Sequence, residues 1–249
     1  MAAMYLDVVD LRAFYASRLG VVARRLIGRR LAKRWPSLAG ECVLGMGYAT
    51  PYLEDLAGEA ERVLALMPAA QGVVTWPLEG PNRTTLVEDD ALPLPDASVD
   101  RALVVHCLEM AANPRDHLRE IWRVLAPGGR VILVVPNRSG IWARSERTPF
   151  GHGQPYGSGQ LTGLLRDAQL SPLGWSEALA VPPLRGPWLR SGTTWEQVGR
   201  TLWPAFAGVI IVEATKQLFQ GIEARQRRSR LKPALRPAWI PPGASAPAR

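Results

Sequence analysis

The feature that most constrains what this chain can fold into is a pair of glycines, Gly45 and Gly47, with a single residue between them. An apolar run over residues 42–44 leads into the pair, and Thr50-Pro51 then supplies a helix N-cap and a first helical residue. A strand, a tight glycine turn and a helix N-terminus in this order form the place where an α/β sheet lets its backbone approach a ligand. The same glycine pair also occurs in turns that bind nothing, so the downstream sequence decides between the two.

Strand-like and helix-like segments alternate downstream of this turn. A helix is expected from Pro51 to Leu56, and the clearest helix runs from Pro114 to Leu125, where apolar residues recur at helical spacing. The segment Arg130–Val135 is unbroken and β-rich, as is typical of a parallel strand covered on both faces. The remaining predicted strands lie at residues 62–66, 84–87, 99–105, 173–179 and 206–214, and another helix lies near residues 160–168. This alternation predicts a doubly wound α/β fold.

The basic residues of the chain are concentrated at its two ends. Residues 1–34 hold eight Lys and Arg against two Asp, and residues 225–249 hold seven with no acid, whereas residues 35–224 hold 15 against 20 Asp and Glu. We therefore expect a basic helical arm over 1–34, an α/β domain over 35–224, and a disordered, proline-rich tail over 225–249. The mildly acidic middle argues against a nucleic-acid groove through the core, so nucleic acid is not the expected partner.

The arm itself has the pattern of a helix over residues 10–34 that is kinked or broken at Gly20. Asp10 is a suitable N-cap, and apolar residues recur at helical spacing from Leu11 to Leu31. In one interpretation this apolar stripe packs on the domain and the arginines are solvated. In the other, the basic face contacts an anionic surface, either a lipid headgroup layer, an acidic protein partner or RNA.

Cysteine usage and hydropathy indicate where such a protein would reside. Cys42 and Cys107 both lie in apolar runs, which fits reduced thiols in a cytoplasmic protein better than a disulfide framework. No apolar run reaches the roughly 18 residues of a membrane span. Asp7 and Asp10 interrupt the one place where a signal peptide could begin. Three scattered histidines and two cysteines do not form a metal-ligand cluster, so no metal is expected.

Four stretches, in this order, resemble the class I S-adenosylmethionine (SAM)-dependent methyltransferases, especially the small-molecule branch called type 11. They are Leu44–Gly47, Asp90–Asp100, His117–Leu125 and Ala126–Arg130. The resemblance covers roughly residues 40–136. It implies SAM as cofactor and a Rossmann-like sheet of seven mostly parallel strands, the last antiparallel, with helices on both faces. SAM would lie across the carboxyl ends of the first strands, where open α/β sheets bind ligands.

The resemblance also implies which residues would contact each part of the cofactor. These are Gly45, Met46 and Gly47 for the methionine portion, Met67 for the ribose, Asp89, Asp90 and Ala91 for the adenine, and His106 near the methyl group. A side chain at Gly47 is expected to occupy the space that the ligand needs and to cost little stability.

Three positions depart from the family's pattern. Val43 stands where an acid is usual, Ala49 replaces the third glycine of the turn, and Met67 replaces the Asp or Glu that takes both ribose hydroxyls. A charge-assisted hydrogen bond contributes about 1.5–3 kcal/mol. Its absence at Met67 is therefore expected to weaken SAM binding roughly ten- to a hundredfold.

The residues that would act on a methyl acceptor are His106 and a segment after the fifth strand. Imidazole titrates near neutral pH, so His106 is a candidate general base, although it could equally line the pocket or contact the cofactor. The segment over residues 141–156 is rich in aromatic residues, arginines and glycines, as an acceptor-binding lid would be. Its candidate acceptor contacts are Trp142, Arg144, His152 and Tyr156. The alternative is an ordered loop whose aromatic residues simply pack.

These observations predict a SAM-dependent methyltransferase that acts on a small molecule or a protein side chain. The motif of an Asn or Asp, two prolines and an aromatic residue, common in enzymes that methylate base or amide nitrogens, is missing after Val105. The rival interpretation is a catalytically inactive scaffold that keeps the methyltransferase fold and acts through protein partners, which Val43 and Met67 favour. A nicotinamide-binding Rossmann domain fits less well, because both its third glycine and its acid after the second strand are missing.

Overall fold

A single sheet of seven strands organises the computed structural model, which describes residues 6–183 and 207–217. The strand order is β3-β2-β1-β4-β5-β7-β6, and β7 runs antiparallel to both of its neighbours while the other pairs are parallel. The strands are β1 Cys42–Gly47, β2 Arg62–Pro68, β3 Thr84–Val87, β4 Val99–Val105, β5 Leu125–Pro136, β6 Leu170–Ala178 and β7 Val209–Lys216. The predicted seven-stranded, mostly parallel α/β sheet is confirmed.

Helices cover both faces of this sheet. They are α1 Val8–Ala16, α2 Arg18–Arg34, α3 Thr50–Leu56, α4 Pro114–Val124 and α5 Ser158–Asp167, with 3-10 turns at Trp142–Arg144 and Pro149–Gly151. Alternate residues of each central strand enter different cores: Ile132 and Val134 of β5 pack on the α1–α3 side, and Leu133 packs with α4 and α5. Burial on both faces explains why the central strands are continuous apolar runs.

The N-terminal arm is two helices, and the position predicted for its break is wrong. The helix is interrupted at Ser17 rather than at Gly20, because the Ser17 side chain caps α2 by accepting a hydrogen bond from the backbone N–H of Gly20. Gly20 serves the packing between the helices, since a Cβ atom there would lie 2.0 Å from the carbonyl oxygen of Phe14. The N-cap of α1 is Asp7, not Asp10, which lies within the first turn.

Several element boundaries also differ from the sequence prediction by a few residues. Ala49 is the N-cap of α3, so Thr50 lies inside the helix, and α4 ends at Val124 because Leu125 already belongs to β5. Strand β2 runs through Pro68, two residues beyond its predicted end, which places Met67 within the strand. Strands β6 and β7 begin at Leu170 and Val209, each three residues from the predicted start.

The arm and the sheet lie in one compact unit, Met1–Leu218. Buried side chains of α1 and α2, such as Leu11, Ile27 and Leu31, belong to the same core cluster as Val43 of β1 and Ile132 of β5. The second unit, Phe219–Arg249, lies outside the described residues, and so does the tail predicted over 225–249. Within residues 6–183 and 207–217, no helix is long and apolar enough to cross a membrane.

Candidate functional site

The carboxyl ends of β1, β2, β3 and β4 meet at one edge of the sheet, which we call the carboxyl-edge crevice. The sheet order makes these four strands neighbours, so the turn after β1, Met67 in β2, the segment after β3 and His106 after β4 all lie along this edge. The backbone N–H of Tyr48 donates to the carbonyl oxygen of Val105 over 2.8 Å and ties the ends of β1 and β4 together. The structure thus brings the sequence-predicted cofactor residues to one place.

Both glycines of the turn are required by packing within the protein. Gly47 has a φ of +72°, and a Cβ atom there would lie 2.3 Å from the carbonyl oxygen of Val105 and 2.7 Å from the Cβ atom of Cys107. At Gly45 an added Cβ atom would lie 2.4 Å from a methyl carbon of Leu53 in α3. The expectation that a side chain at Gly47 would cost little stability is therefore wrong, because it would collide with the backbone that ends β4.

His106 is the most constrained side chain in the crevice. It follows β4 directly, has a φ of +50° that non-glycine residues rarely adopt, and is 1% exposed. Its Nε2 atom is 2.9 Å from the hydroxyl oxygen of Tyr15, and its Nδ1 atom is 3.3 Å from Oε1 of Glu109. The amide nitrogen of the Gln71 side chain donates to the carbonyl oxygen of His106 over 2.8 Å. Strain of this kind concentrates at functional sites, where surrounding contacts hold it.

Helix α1 covers the crevice from outside. The backbone N–H of Val8 donates to the carbonyl oxygen of Gln71 over 2.8 Å, and the Tyr15 hydroxyl lies 2.9 Å from that of Tyr52. Burial, followed by the neighbouring Tyr52, raises the pKa of Tyr15 well above its ordinary value, so its hydroxyl keeps its proton at neutral pH. In this structure Tyr15 of α1 therefore fills the space next to the His106 ring.

Sequence reasoning missed Tyr15, Gln71 and Glu109 as site residues. Tyr15 was assigned to the apolar stripe of the arm, and no local pattern links it to a histidine 91 residues away. Glu109 offered a signal, because an acid three residues after a candidate base at a strand end can reach back to it.

The end of β2 departs most from what a SAM site usually provides. Met67 is fully buried among apolar side chains and offers no hydrogen-bond acceptor. Gln71, four residues further on, is also buried, and its Oε1 atom has no hydrogen-bond partner among the described residues. A buried amide oxygen without a partner is uncommon in proteins and requires an explanation. A hydroxyl or ammonium group is the kind of donor that would satisfy this oxygen, so the chemistry of Gln71 fits a polar part of SAM.

The segment after β3 is joined to the end of β4 by His117 of α4. The Nδ1 atom of His117 lies 2.8 Å from the carbonyl oxygen of Asp89, and its Nε2 atom lies 3.7 Å from the sulfur of Cys107. Burial raises the pKa of the Cys107 thiol and lowers the pKa of His117, so both are neutral at pH 7. Asp90 and Ala91 are exposed, as expected for the rim of a site. In the part of the chain that the structure describes, no group of three or more His, Cys, Asp or Glu could hold a metal ion.

The segment over residues 141–156 packs directly on the loop after β4. Of the four residues predicted to contact the acceptor, two are buried in the protein interior and two lie nearer the surface. Trp142 and Tyr156 are buried and donate to the backbone carbonyl oxygens of Val181 and Leu108. Arg144 is exposed, and the Nε2 atom of His152 lies 2.8 Å from the carbonyl oxygen of Glu146. Phe150, which was not among the predicted contacts, lies with its ring centroid 4.8 Å from that of His106.

Known proteins with related sequences are methyltransferases by name. The family model described as a methyltransferase domain matches residues 42–133. A Mycolicibacterium smegmatis protein described as a probable SAM-dependent methyltransferase is 32% identical over 150 residues, which cover 57% of this chain and 56% of the relative. The demethylmenaquinone methyltransferase of Deinococcus radiodurans is 40% identical over 72 residues, covering 27% of this chain and 30% of the relative. The chain thus spans about half the length of the first relative and less than a third of the second.

Solved structures share the fold at low sequence identity. A chain in the complex between the Haloferax volcanii Trm112 methyltransferase activator and a methyltransferase aligns with a TM-score of 0.61 and 18% identity, covering 85% of this chain and 99% of that one. The [4+2]-cyclase SpnF aligns with a TM-score of 0.52 and 21% identity, covering 79% of this chain and 81% of that one.

The sheet order and the crevice at its carboxyl edge define a protein of the class I methyltransferase architecture. Residues 42–133, which include the four sequence stretches, are similar to the methyltransferase-domain family and to relatives named as SAM-dependent methyltransferases. Because a cyclase shares the fold, the reaction has to be argued from the residues of the site.

Proposed function

We propose that this protein binds SAM in the carboxyl-edge crevice and transfers its methyl group to a hydroxyl, thiol or amine of a small molecule or a protein side chain. The proposal rests on two buried polar residues at the end of β4. His106 and Gln71 meet there in the crevice of a methyltransferase-family domain, and Gln71 Oε1 has no hydrogen-bond partner among the described residues.

Residues at the ends of three strands, β1, β2 and β3, would hold the cofactor. Gln71 would accept a hydrogen bond from a ribose hydroxyl or the ammonium group, in place of the carboxylate that Met67 lacks. The backbone of Gly45-Met46-Gly47 would bound the methionine portion, and Asp89, Asp90 and Ala91 would bound the adenine. When bound, SAM supplies an electrophilic methyl group on a sulfonium ion.

The protein's own contribution is mainly orientation and exclusion of water. Transfer of this kind is an in-line displacement, and holding the reactants in line supplies much of the acceleration. His106 would accept the proton that the acceptor loses, as a general base within hydrogen-bond reach. Helix α1 and Phe150 would close over the reacting groups, because Tyr15 of α1 and Phe150 both already pack against the His106 ring.

Calorimetry with SAM and its demethylated product, S-adenosylhomocysteine, tests the cofactor part of this proposal before any acceptor is known. Both ligands are expected to bind. Gln71→Leu should weaken each by severalfold to about tenfold, the loss expected for one neutral hydrogen bond. Gln217→Leu is the matched control, because Gln217 is an exposed glutamine directly after β7, at the edge of the sheet opposite the crevice. The affinity of this variant should equal that of the wild type. A wild-type protein that binds neither ligand would contradict the proposal and revive the inactive scaffold, which the comparisons do not support.

The outward face of α2 supports a second element of the proposal, an anionic partner. Arg18, Arg25, Arg29 and Lys33 lie on one side of the helix, are exposed, and form no ion pair with a described residue. The arginines that face inward are neutralised: Arg24 pairs with Asp55 over 2.9 Å and Arg34 pairs with Glu213 over 3.3 Å. Free cations aligned on one helix face favour contact with an acidic protein or a lipid headgroup layer.

Charge reversal on this face tests the partner contact. Arg25→Glu with Arg29→Glu should abolish binding to vesicles of anionic phospholipid if the partner is a membrane surface, and should leave melting temperature and SAM affinity unchanged. Binding that the double variant retains would contradict the contact. The free thiols of Cys42 and Cys107 support a reducing, cytoplasmic compartment for such an encounter.

A further inference from the structure

Glu109 is a buried carboxyl group with an unusual lack of partners. Its residue is 3% exposed, and neither of its oxygens has a hydrogen bond to a described residue. Among the described residues, the one ionisable group within ion-pair distance is Nδ1 of His106, at 3.3 Å. That nitrogen also has no hydrogen-bond partner in the described part of the chain, so the two unpaired groups face each other. Burying a carboxylate without a compensating partner destabilises a fold by several kcal/mol. A side chain that stability alone disfavours points to a function.

The opposite nitrogen of the same imidazole ring faces a hydroxyl group. Nε2 of His106 lies 2.9 Å from the oxygen of Tyr15, and the buried Tyr15 hydroxyl keeps its proton. A neutral imidazole carries one proton, so one nitrogen donates and the other accepts. If Glu109 holds the proton on Nδ1, Nε2 is the acceptor and the Tyr15 hydroxyl donates to it. The distances on both sides of the ring, 2.9 Å to Tyr15 and 3.3 Å to Glu109, are compatible with this tautomer.

We propose that Glu109 is a positioning residue that holds the proton of His106 on Nδ1 and so presents Nε2 to the crevice as the acceptor of a hydroxyl or thiol proton. The arrangement has the logic of a carboxylate that orients an imidazole and stabilises the imidazolium that forms. In the described structure the Tyr15 hydroxyl forms a hydrogen bond with Nε2 of His106. The methyl acceptor replaces the Tyr15 hydroxyl at Nε2 when α1 moves.

The resulting step balances and rests on the proposed function. The acceptor oxygen or sulfur attacks the methyl carbon, a carbon–oxygen or carbon–sulfur bond forms, and the bond from that carbon to the sulfonium breaks with its electron pair left on sulfur. The acceptor's proton passes to Nε2 of His106, and Glu109 balances the charge of the imidazolium. This geometry favours acceptors that must lose a proton as they react, namely alcohols, phenols and thiols.

Nitrogen NMR of the full chain labelled in its three histidines tests the tautomer with no ligand present. The His106 signals, assigned as those lost in His106→Asn, are expected to show a protonated Nδ1 and an unprotonated Nε2. In Glu109→Leu the proton should move to Nε2, because the acceptor beside Nδ1 has gone. Tyr52→Phe is the control: its hydroxyl contacts Tyr15 and not His106, so the tautomer should stay as in the wild type.

Measurements of melting temperature and SAM affinity distinguish this positioning role from a purely structural role and from that of a cofactor ligand. Glu109→Leu should melt at the same temperature as the wild type or higher, since it removes a buried charge, and should bind SAM within about twofold of wild-type affinity. A lower melting temperature with an unchanged tautomer would make Glu109 structural. An affinity loss of tenfold or more would make it a cofactor ligand. If Glu109→Leu does not fold, Glu109→Met gives the same comparison, because it keeps the length of the side chain and removes both carboxylate oxygens. A wild-type Nε2–H tautomer overturns the proposal outright. The tautomer and the melting temperature do not depend on whether the wild type binds SAM, so the two proposals fail separately.

Discussion

The indole N–H of Trp35 donates to Oε1 of Glu213 over 3.1 Å, joining the end of α2 to the last strand of the sheet across 178 residues of sequence. Arg34 and Arg130 lie 3.3 Å from the same carboxylate, which is buried in the middle of β7. The basic arm is thus fixed to the sheet by a polar contact as well as by its apolar stripe. Of the two interpretations of the arm, packing on the domain is the one that this contact supports for its inward face.

Removal of this carboxylate should loosen the arm. Glu213→Ala is expected to lower the free energy of unfolding by about 3 kcal/mol or more, because it leaves the Trp35 N–H and two arginines without their partner. Glu213→Gln should be milder, since an amide oxygen can still accept from Trp35. Denaturant unfolding of the three proteins measures the difference. Equal losses in both variants would show that charge, rather than the hydrogen bond, holds the arm.

Gly47 and Gly163 provide a matched test of the two kinds of glycine in this chain. Gly47→Ala should destabilise by more than about 2 kcal/mol, because its positive φ is strained for alanine and the new Cβ atom meets the carbonyl oxygen of Val105. Gly163→Ala, in the exposed interior of α5 with nothing within 4 Å, should stabilise by about 0.5–1 kcal/mol. Thermal unfolding compares them. A Gly47→Ala variant as stable as the wild type would mean that the turn can move away from β4.

The stability of the loop before β4 should depend on pH through Glu120 of α4. The hydrogen bond from Arg123 lowers the pKa of Glu120, which also accepts from the backbone N–H of Leu92 over 3.0 Å. A carboxyl group with a lower pKa in the folded state stabilises at pH values above its unfolded pKa, and this contribution disappears as pH falls through the folded value. Glu120→Gln should therefore lose about 1 kcal/mol or less near pH 7 and almost nothing in strong acid.

The control for this pH dependence is Glu59→Gln, which changes an exposed glutamate that forms no ion pair with a described residue. Its stability should follow that of the wild type at every pH. A Glu120→Gln deficit that stays constant from pH 7 to acid would show that packing of the side chain matters and its charge does not.

The sheet could be predicted from the sequence because each of its strands is locally encoded. Arg130–Val135 is a continuous β-rich run, and β4 ends in the apolar run Ala102–Val105; burial on both faces requires such runs whatever surrounds them. Helix α4 was equally clear, because Leu118 and Ile121 bury at the predicted spacing. The helix break at Ser17 could not be predicted, since a serine that caps a helix looks the same in sequence as a serine on its surface.

The site could be predicted only as far as the strand ends. The order of the strands places Gly47, Met67 and His106 along one edge, which the family resemblance already implied. The residues that contact His106 come from α1 and the segment before α5, which meet its ring, and from the loop after β2, which meets its backbone carbonyl oxygen. Those contacts depend on tertiary packing between segments far apart in sequence, and local periodicity contains no information about them.

Met67 gives the sharpest test of how SAM would lie in the crevice. Met67→Asp places a carboxylate at a fully buried position among apolar side chains, so the free variant should lose about 3 kcal/mol or more. In strong acid the loss should shrink, because a protonated carboxyl group is less costly to bury. Met67→Leu, which conserves volume, should lose less than about 1.5 kcal/mol.

Adding SAM separates the outcomes for Met67→Asp. If the ribose lies over position 67, its hydroxyls pair with the new carboxylate, and SAM should raise the melting temperature of Met67→Asp by more than it raises that of Met67→Leu. S-adenosylhomocysteine should do the same, because it carries the same ribose. If Gln71 instead holds the ribose away from β2, SAM will shift the melting temperature of both variants equally, and adding Gln71→Leu will reduce the shift in each. A free Met67→Asp variant that melts with the wild type would place residue 67 in contact with solvent, contrary to the structure.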